Sequence, residues 1–203
     1  LDELAAGEQP FFLAVGFVRP HVPFVAPAAD FEPYPWEEMP LPEKVPGDQD
    51  DIPPRGINYK TSQNMRMDLE QQRRAVSAYF ASVAYMDRQA GKVLDRLDAL
   101  GLTDETIVIF TSDHGEALGD HWIWGRRGPF DGHLRVPCLV RDPRQVARST
   151  RGTRVDAPTA AHDLLATICA AVGVEPPATS EGEKNAAERK LAIADAMVDA
   201  VAG

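Results

Sequence analysis

The chain has 203 residues and a formal charge of −10, long enough for one α/β domain with its own core or for one large piece of something bigger. The charge argues against a general nucleic-acid binder, which needs a basic face to displace counterions. It does not argue against an anionic substrate, because a metal ion and a few local cations can reverse the field in one pocket. No apolar run approaches the ~20 residues that span a bilayer. No signal peptide is legible in Leu1–Pro10, which runs straight into an apolar segment as if entered in the middle of a domain. The expectation is a soluble protein, cytoplasmic or periplasmic, with neither nucleic acid nor membrane as a partner.

In chain order, Phe11–Phe17 is a continuous apolar run and predicts a central strand. It ends in Val18-Arg-Pro-His21-Val-Pro-Phe24, where two prolines stop the strand and fix the backbone around His21. His21 is either a loop histidine packed between prolines or a donor to a substrate oxygen. Residues 26–66 are rich in Pro, Asp and Glu and have no periodicity. A connection of that length is a functional loop or a partly mobile surface segment, with Tyr34 and Trp36 as candidate anchors.

From Met67 to Leu100, Val76, Tyr79, Phe80, Val83, Met86, Ala90, Val93, Leu94 and Leu97 recur at three- and four-residue steps, which predicts a helix with Gly101 beyond its end. A short polar turn then feeds Thr106–Phe110, an uncharged β-branched and aromatic run that predicts a strand buried on both faces. The strand–helix–strand order implies a parallel sheet with a crossover helix.

Directly after that strand stand Asp113, His114 and Gly115. Open α/β sheets place their ligands at the carboxyl ends of strands. The pair is therefore a candidate metal site, the alternative being a turn in which Asp113 caps the next element and His114 lies on the surface. The following loop carries Gly119, His121, Trp122, Trp124, Gly125, Arg126 and Arg127. The two arginines form either an oxyanion clamp or a pair of surface cations. Leu134–Val140 predicts another buried strand and Asp156–Gly173 a helix. Cys138 and Cys169 read as small buried hydrophobes with no disulfide or metal spacing between them.

Thr111-Ser-Asp-His-Gly-Glu116 with Leu118-Gly-Asp-His121 resembles the type I sulfatases of the alkaline phosphatase superfamily. Pro10–Phe24, Ala78–Asp87 with Gly91 and Leu94, and Val136–Val140 resemble that family's histidine loop, preceding helix and following strand, in the same order. Iduronate-2-sulfatase-type enzymes share this pattern. Gly119–Gly125, Asp131 and Arg141-Asp-Pro143 also resemble phosphonate monoester hydrolases of the superfamily.

The resemblance implies an α/β fold with a mainly parallel central sheet flanked by helices. It implies that Asp113 and His114 ligate a divalent metal, calcium above all, with manganese or magnesium as alternatives. It implies that His21 contacts the sulfate and the leaving-group oxygen as a general acid. Arg126, thirteen residues after Asp113, stands where the family usually has a sulfate-binding lysine. Arg127 and His121 are further substrate-binding candidates.

The family's nucleophile, a formylglycine made from a Cys/Ser-x-Pro-x-Arg motif, has no counterpart in these residues, nor has its N-terminal Asp-Asp pair. The expectation is that residues 1–177 are the C-terminal portion of a sulfatase-like catalytic domain, incomplete, with a divergent helical tail at 178–203. The expected activity is hydrolysis of a small sulfate ester. The alternatives are hydrolysis of a phosphonate monoester or phosphodiester, and an inactive homologue that only binds anions.

Overall fold

The computed structural model describes residues 1–54, 56, 66–126, 128–146 and 152–175. The expected helical tail at 178–203 lies outside the described residues. The chain divides into two compact units, Leu1–Asp104 with Phe110–Cys138, and Glu105–Ile109 with Leu139–Gly203. In order, the regular elements are α1 (Asp2–Ala5), α2 (Leu69–Ala99), β1 (Val108–Thr111), α3 (Asp131–Leu134), β2 (Cys138–Arg141) and α4 (Asp163–Val172).

α2 is the long helix the periodicity predicts, and its ends show why it runs where it does. At the start, Asp68 accepts the Gln71 N–H at 2.8 Å while the Gln71 side chain accepts the Asp68 N–H at 3.0 Å. This reciprocal pair satisfies two donors that a helix start otherwise leaves open. At the other end Gly101 takes φ +72°. The Leu102 N–H then reaches the Leu97 carbonyl and the Gly101 N–H the Asp98 carbonyl, a Schellman closure that needs a left-handed residue.

The proline-rich segment after residue 26 makes only two short 3-10 turns, Ala28–Phe31 and Trp36–Glu38. It is nonetheless fastened to α2 as a strap. Ser77 donates to the Tyr34 carbonyl at 2.6 Å, Tyr34 stacks on Phe80, and the Arg74 guanidinium lies 4.2 Å from the Trp36 ring centroid. The expected anchors Tyr34 and Trp36 both hold. Asp30, only 3% exposed, pairs with Arg88. Met39, Val76 and Trp124 form the small core beneath, flanked by Tyr34, Leu41, Met67 and Leu118.

Several expectations need correction. Residues 11–17 form no strand, and Phe12, Leu13, Val15 and Phe17 are exposed. A buried strand exists only if neighbours take its N–H and C=O groups. Among the described residues the sheet has two strands, β1 and β2, bonded to each other. A mainly parallel central sheet is therefore not formed by the described residues. For the same reason β1 is not buried on both faces, and Phe110 is 37% exposed. β2 starts only at Cys138, because Leu134 closes α3 and Pro137 has no N–H to give a ladder. Cys138 is exposed, whereas Cys169 is buried as expected, and both are free thiols. α4 begins at Asp163 instead of near residue 156, since Pro158 disfavours helix before it and Asp163 folds back onto the Ala160 N–H. Among the described residues no helix is long and apolar enough to cross a membrane.

The α2 start offers a direct check. Asp68→Ala removes the cap and is expected to cost about 1 kcal/mol. Urea unfolding should show a lower midpoint at unchanged slope.

Candidate active site

β1 delivers the chain to Ser112, whose hydroxyl donates to the His114 carbonyl at 2.8 Å and turns the backbone. The Asp113 side chain is left 87% exposed and the His114 ring 31% exposed. His114 Nδ1 lies 2.9 Å from the Gly115 carbonyl. A carbonyl only accepts, so Nδ1 carries the hydrogen and the neutral ring keeps its lone pair on Nε2. That nitrogen is 3.7 Å from Asp113 Oδ1, too far to be used up in a hydrogen bond and close enough for both atoms to reach one cation. Backbone fixing of the distal ring nitrogen is how metal-ligating histidines are held. The donor set, one carboxylate oxygen and one imidazole nitrogen, suits a divalent ion. The competing cap reading does not describe this geometry, because no helix starts at Asp113 and the turn is made by Ser112. Among the described residues no cluster of three or more His, Cys, Asp or Glu could hold a metal, and Asp113 Oδ1 and His114 Nε2 stand as a pair of candidate donors.

His21 is set in a tight turn, its N–H donating to the Val18 carbonyl at 2.9 Å, between cis peptide bonds at Arg19–Pro20 and Val22–Pro23. Its Nδ1 is 2.7 Å from the Val22 carbonyl, which again leaves Nε2 available. Phe24 then packs edge-on against Tyr79 of α2. The result brings the His21 and His114 rings to a centroid separation of 6.1 Å. Burial pushes the Tyr79 phenol up, and the nearby Glu116 carboxylate pushes it further the same way.

After Glu116 the loop folds into a narrow hairpin. Gly125 accepts the Ala117 N–H at 3.2 Å and Ile123 accepts the Gly119 N–H at 2.7 Å. Ile123, fully buried, plugs it against Ile52, Ala117 and Phe130. Behind the motif the Gly115 N–H donates to the His133 carbonyl at 2.8 Å. The backbones approach so closely that a Cβ on Gly115 would fall onto the Gly132 carbonyl oxygen.

Arg126 follows the neck of the hairpin directly, is exposed, and has no carboxylate partner among the described residues. Arg127 lies outside the described residues. His121 is half-buried, with Nδ1 3.0 Å from Asp48 Oδ2 and its ring 5.3 Å from Phe130. Thus His21, Asp113 and His114 are brought together, and Arg126 is placed at the neck of the loop they open.

Sequence reasoning missed two features. His133 is 2% exposed, bonded through Nδ1 to the Gly128 carbonyl at 2.9 Å, with Nε2 buried and unpartnered. No pattern around it marks it. Lys44, Asp48 and Gln49 contact the hairpin from the strap, in a segment whose composition carries no periodic signal.

The fold aligns with those of solved hydrolases. The phosphonate monoester hydrolase of Agrobacterium radiobacter aligns with a TM-score of 0.71 over 86% of this chain and 37% of that one, at 27% identity. The phosphonate monoester hydrolase of Silicibacter pomeroyi aligns at 0.72 over 89% and 37%, at 29% identity. These define the class as the alkaline phosphatase/sulfatase fold. Residues 1–174 match the protein-family model described as Sulfatase, and the chain belongs to the sulfatase family. It is 38% identical to mouse (Mus musculus) iduronate 2-sulfatase over 161 residues, which is 72% of this chain and 29% of that protein. It is 34% identical to the arylsulfatase of Clostridium perfringens over 178 residues, 86% of this chain and 36% of that protein. The chain thus spans well under half the length of the relatives it matches.

Gly115→Ala tests the packing behind the motif. The added methyl has no room, so overpacking is expected to cost about 1–3 kcal/mol and to weaken divalent-ion binding. Thermal unfolding and calorimetric titration with manganese would record both.

Proposed function

We propose that the chain supplies one half of a metal-assisted site for hydrolysis of a small sulfate ester. The observation that carries this reading is the meeting of His21 and His114 at 6.1 Å, each with Nδ1 engaged by a backbone carbonyl. Asp113 and His114 Nε2 are the proposed ligands of a divalent ion. Calcium best suits a hard carboxylate oxygen, while the imidazole admits manganese or magnesium. When bound, such an ion supplies positive charge and Lewis acidity at the ester's non-bridging oxygens.

His21 is the proposed general acid. In its protonated form Nδ1 keeps donating to Val22, and the Nε2 proton is the one to give to the leaving-group oxygen. Arg126 is proposed to bind the anion, with Arg127 and His121 as further contacts. A guanidinium offers two oxygens a rigid planar fork of donors, where a lysine ammonium is a compact charge with rotatable donors. The formylglycine of the family is proposed to come from outside these 203 residues, in which its motif does not occur. In this reading residues 1–177 are the C-terminal portion of the catalytic domain, and β1 belongs to a larger, mainly parallel sheet. Phosphonate monoester hydrolysis is the second reading, favoured by the two structural neighbours named for that activity.

Two measurements test this. Calorimetry with calcium and manganese should show binding that weakens at least about tenfold in Asp113→Ala and His114→Ala, since even outer partners of metal ligands cost that much. Unchanged affinity in both variants sinks the metal assignment. The 203-residue chain itself is expected to turn over neither an aryl sulfate nor an aryl phosphonate. Robust turnover lost in Asp113→Ala would overturn the half-site reading, and the preferred ester would decide between the two activities.

A further inference from the structure

The turn Leu118–Trp122 holds an unusual backbone. Leu118, His121 and Trp122 have φ of +50°, +49° and +63°, and Gly119 has +98°. Non-glycine residues persist in the left-handed region when the surroundings over-determine them. Here the surroundings are one six-residue piece of the strap, Lys44–Gln49. Lys44 Nζ donates to the Gly119 carbonyl and lies 5.1 Å from the Trp122 ring centroid. The Trp122 indole N–H donates to the Val45 carbonyl at 3.4 Å. Gln49 donates to the His121 carbonyl at 2.6 Å. Asp48 Oδ2 meets His121 Nδ1 at 3.0 Å. Each of the residues Gly119, His121 and Trp122 is gripped, and each grip crosses more than seventy residues of sequence.

Three of these contacts hold backbone carbonyls or an indole, as packing requires. The fourth is different, because it fixes an imidazole by its Nδ1 and so selects which ring nitrogen is left over. The turn sits at the tip of the hairpin whose neck, Ala117 to Gly125, directly precedes Arg126. The tip and the neck are joined through the Gly119 N–H to Ile123 carbonyl bond at 2.7 Å. Burial holds the Lys44 ammonium below its usual range, against the opposing pull of Asp120, as befits a cation drawn into the clamp.

We propose that Lys44 and Asp48 are positioning residues: they clamp the Gly119–Trp122 turn, Asp48 at His121 Nδ1 while Nε2 faces Asp120 at 3.9 Å, so that Arg126 is set for an oxyanion. This rests on the reading of Arg126 as the anion-binding residue. The substrate group addressed is a tetrahedral sulfate- or phosphonate-type anion.

The test uses inorganic sulfate as the probe, with the full chain and its Arg126→Ala, Asp48→Asn, Asp48→Glu and Lys44→Met variants. Ring ¹⁵N shifts of His121 in the native chain should show the proton on Nδ1. Asp48→Asn should redistribute it, shift the Gly125 and Arg126 amide signals, and weaken sulfate binding roughly tenfold, the scale of losing an orienting partner. Asp48→Glu should restore all three. Lys44→Met should move the same amides and weaken sulfate binding in the same direction. An unprotonated Nδ1 in the native chain overturns the proposal without any variant. So do His121, Gly125 and Arg126 signals that stay put in both Asp48→Asn and Lys44→Met. Sulfate binding that survives Arg126→Ala, or is absent from the native chain, overturns the anion-binding role of Arg126. The amide and ring shifts still decide whether the clamp holds the turn.

Discussion

A helix of thirty-one residues is kept in water by the face it buries, since propensity and surface ion pairs contribute only tenths of a kcal/mol each. α2 buries Val76, Ser77, Ala81, Ser82 and Leu97, and burying a residue such as Val76 is worth about 1.5–3 kcal/mol. The exposed Glu70–Arg74 pair weighs little beside that. What covers α2 is an irregular strap and the segment after His21, through Tyr34, Trp36, Asp30 and Phe24. Stability and site placement therefore come from the same contacts. The helix is stable because these segments cover it, and they are ordered because it gives them a surface.

The motif following β1 is held by a different principle. Its fixing contacts are made by backbone: Gly115 to His133, Ala117 to Gly125, and the carbonyls of Gly115 and Val22 to the two histidine rings. The candidate site side chains are not spent on structure, so the Asp113 carboxylate stays 87% exposed and Arg126 stays unpaired among the described residues. Glycine at 115 is required by the approach to Gly132, a steric demand and not a conformational one.

What the sequence made legible follows from how local each signal is. α2 was readable because its apolar positions repeat within a turn or two and Gly101 marks its end. That Asp113 and His114 follow a strand was readable from the apolar run before them, and the resemblance paired them with His21, whose ring lies 6.1 Å from that of His114. Phe11–Phe17 misled, because a strand is a property of pairs and the run alone does not name its neighbours. Cys138 misled for the same reason. Lys44, Asp48 and Gln49 were illegible because their meaning lies in contacts with Gly119 and His121 far along the chain. His133 was illegible because burial of a single imidazole behind Gly115 leaves no periodic trace.

Two donors account for the form of the proposed metal motif. A divalent cation gives up hydration only when enough protein oxygens replace it, six to eight for calcium. One carboxylate and one imidazole at 3.7 Å leave most of that shell to water, and in water two charges 4 Å apart attract by only about 1 kcal/mol. The same pair becomes strong when further ligands enclose the ion and lower the local dielectric. The His114 ring is thus already oriented, through the Gly115 carbonyl and the Ser112 turn, for a cation that two ligands alone would bind only weakly. Rigid orientation before enclosure lowers the entropic cost of the later step, which is the physical advantage of fixing such a ring by backbone at the end of a strand.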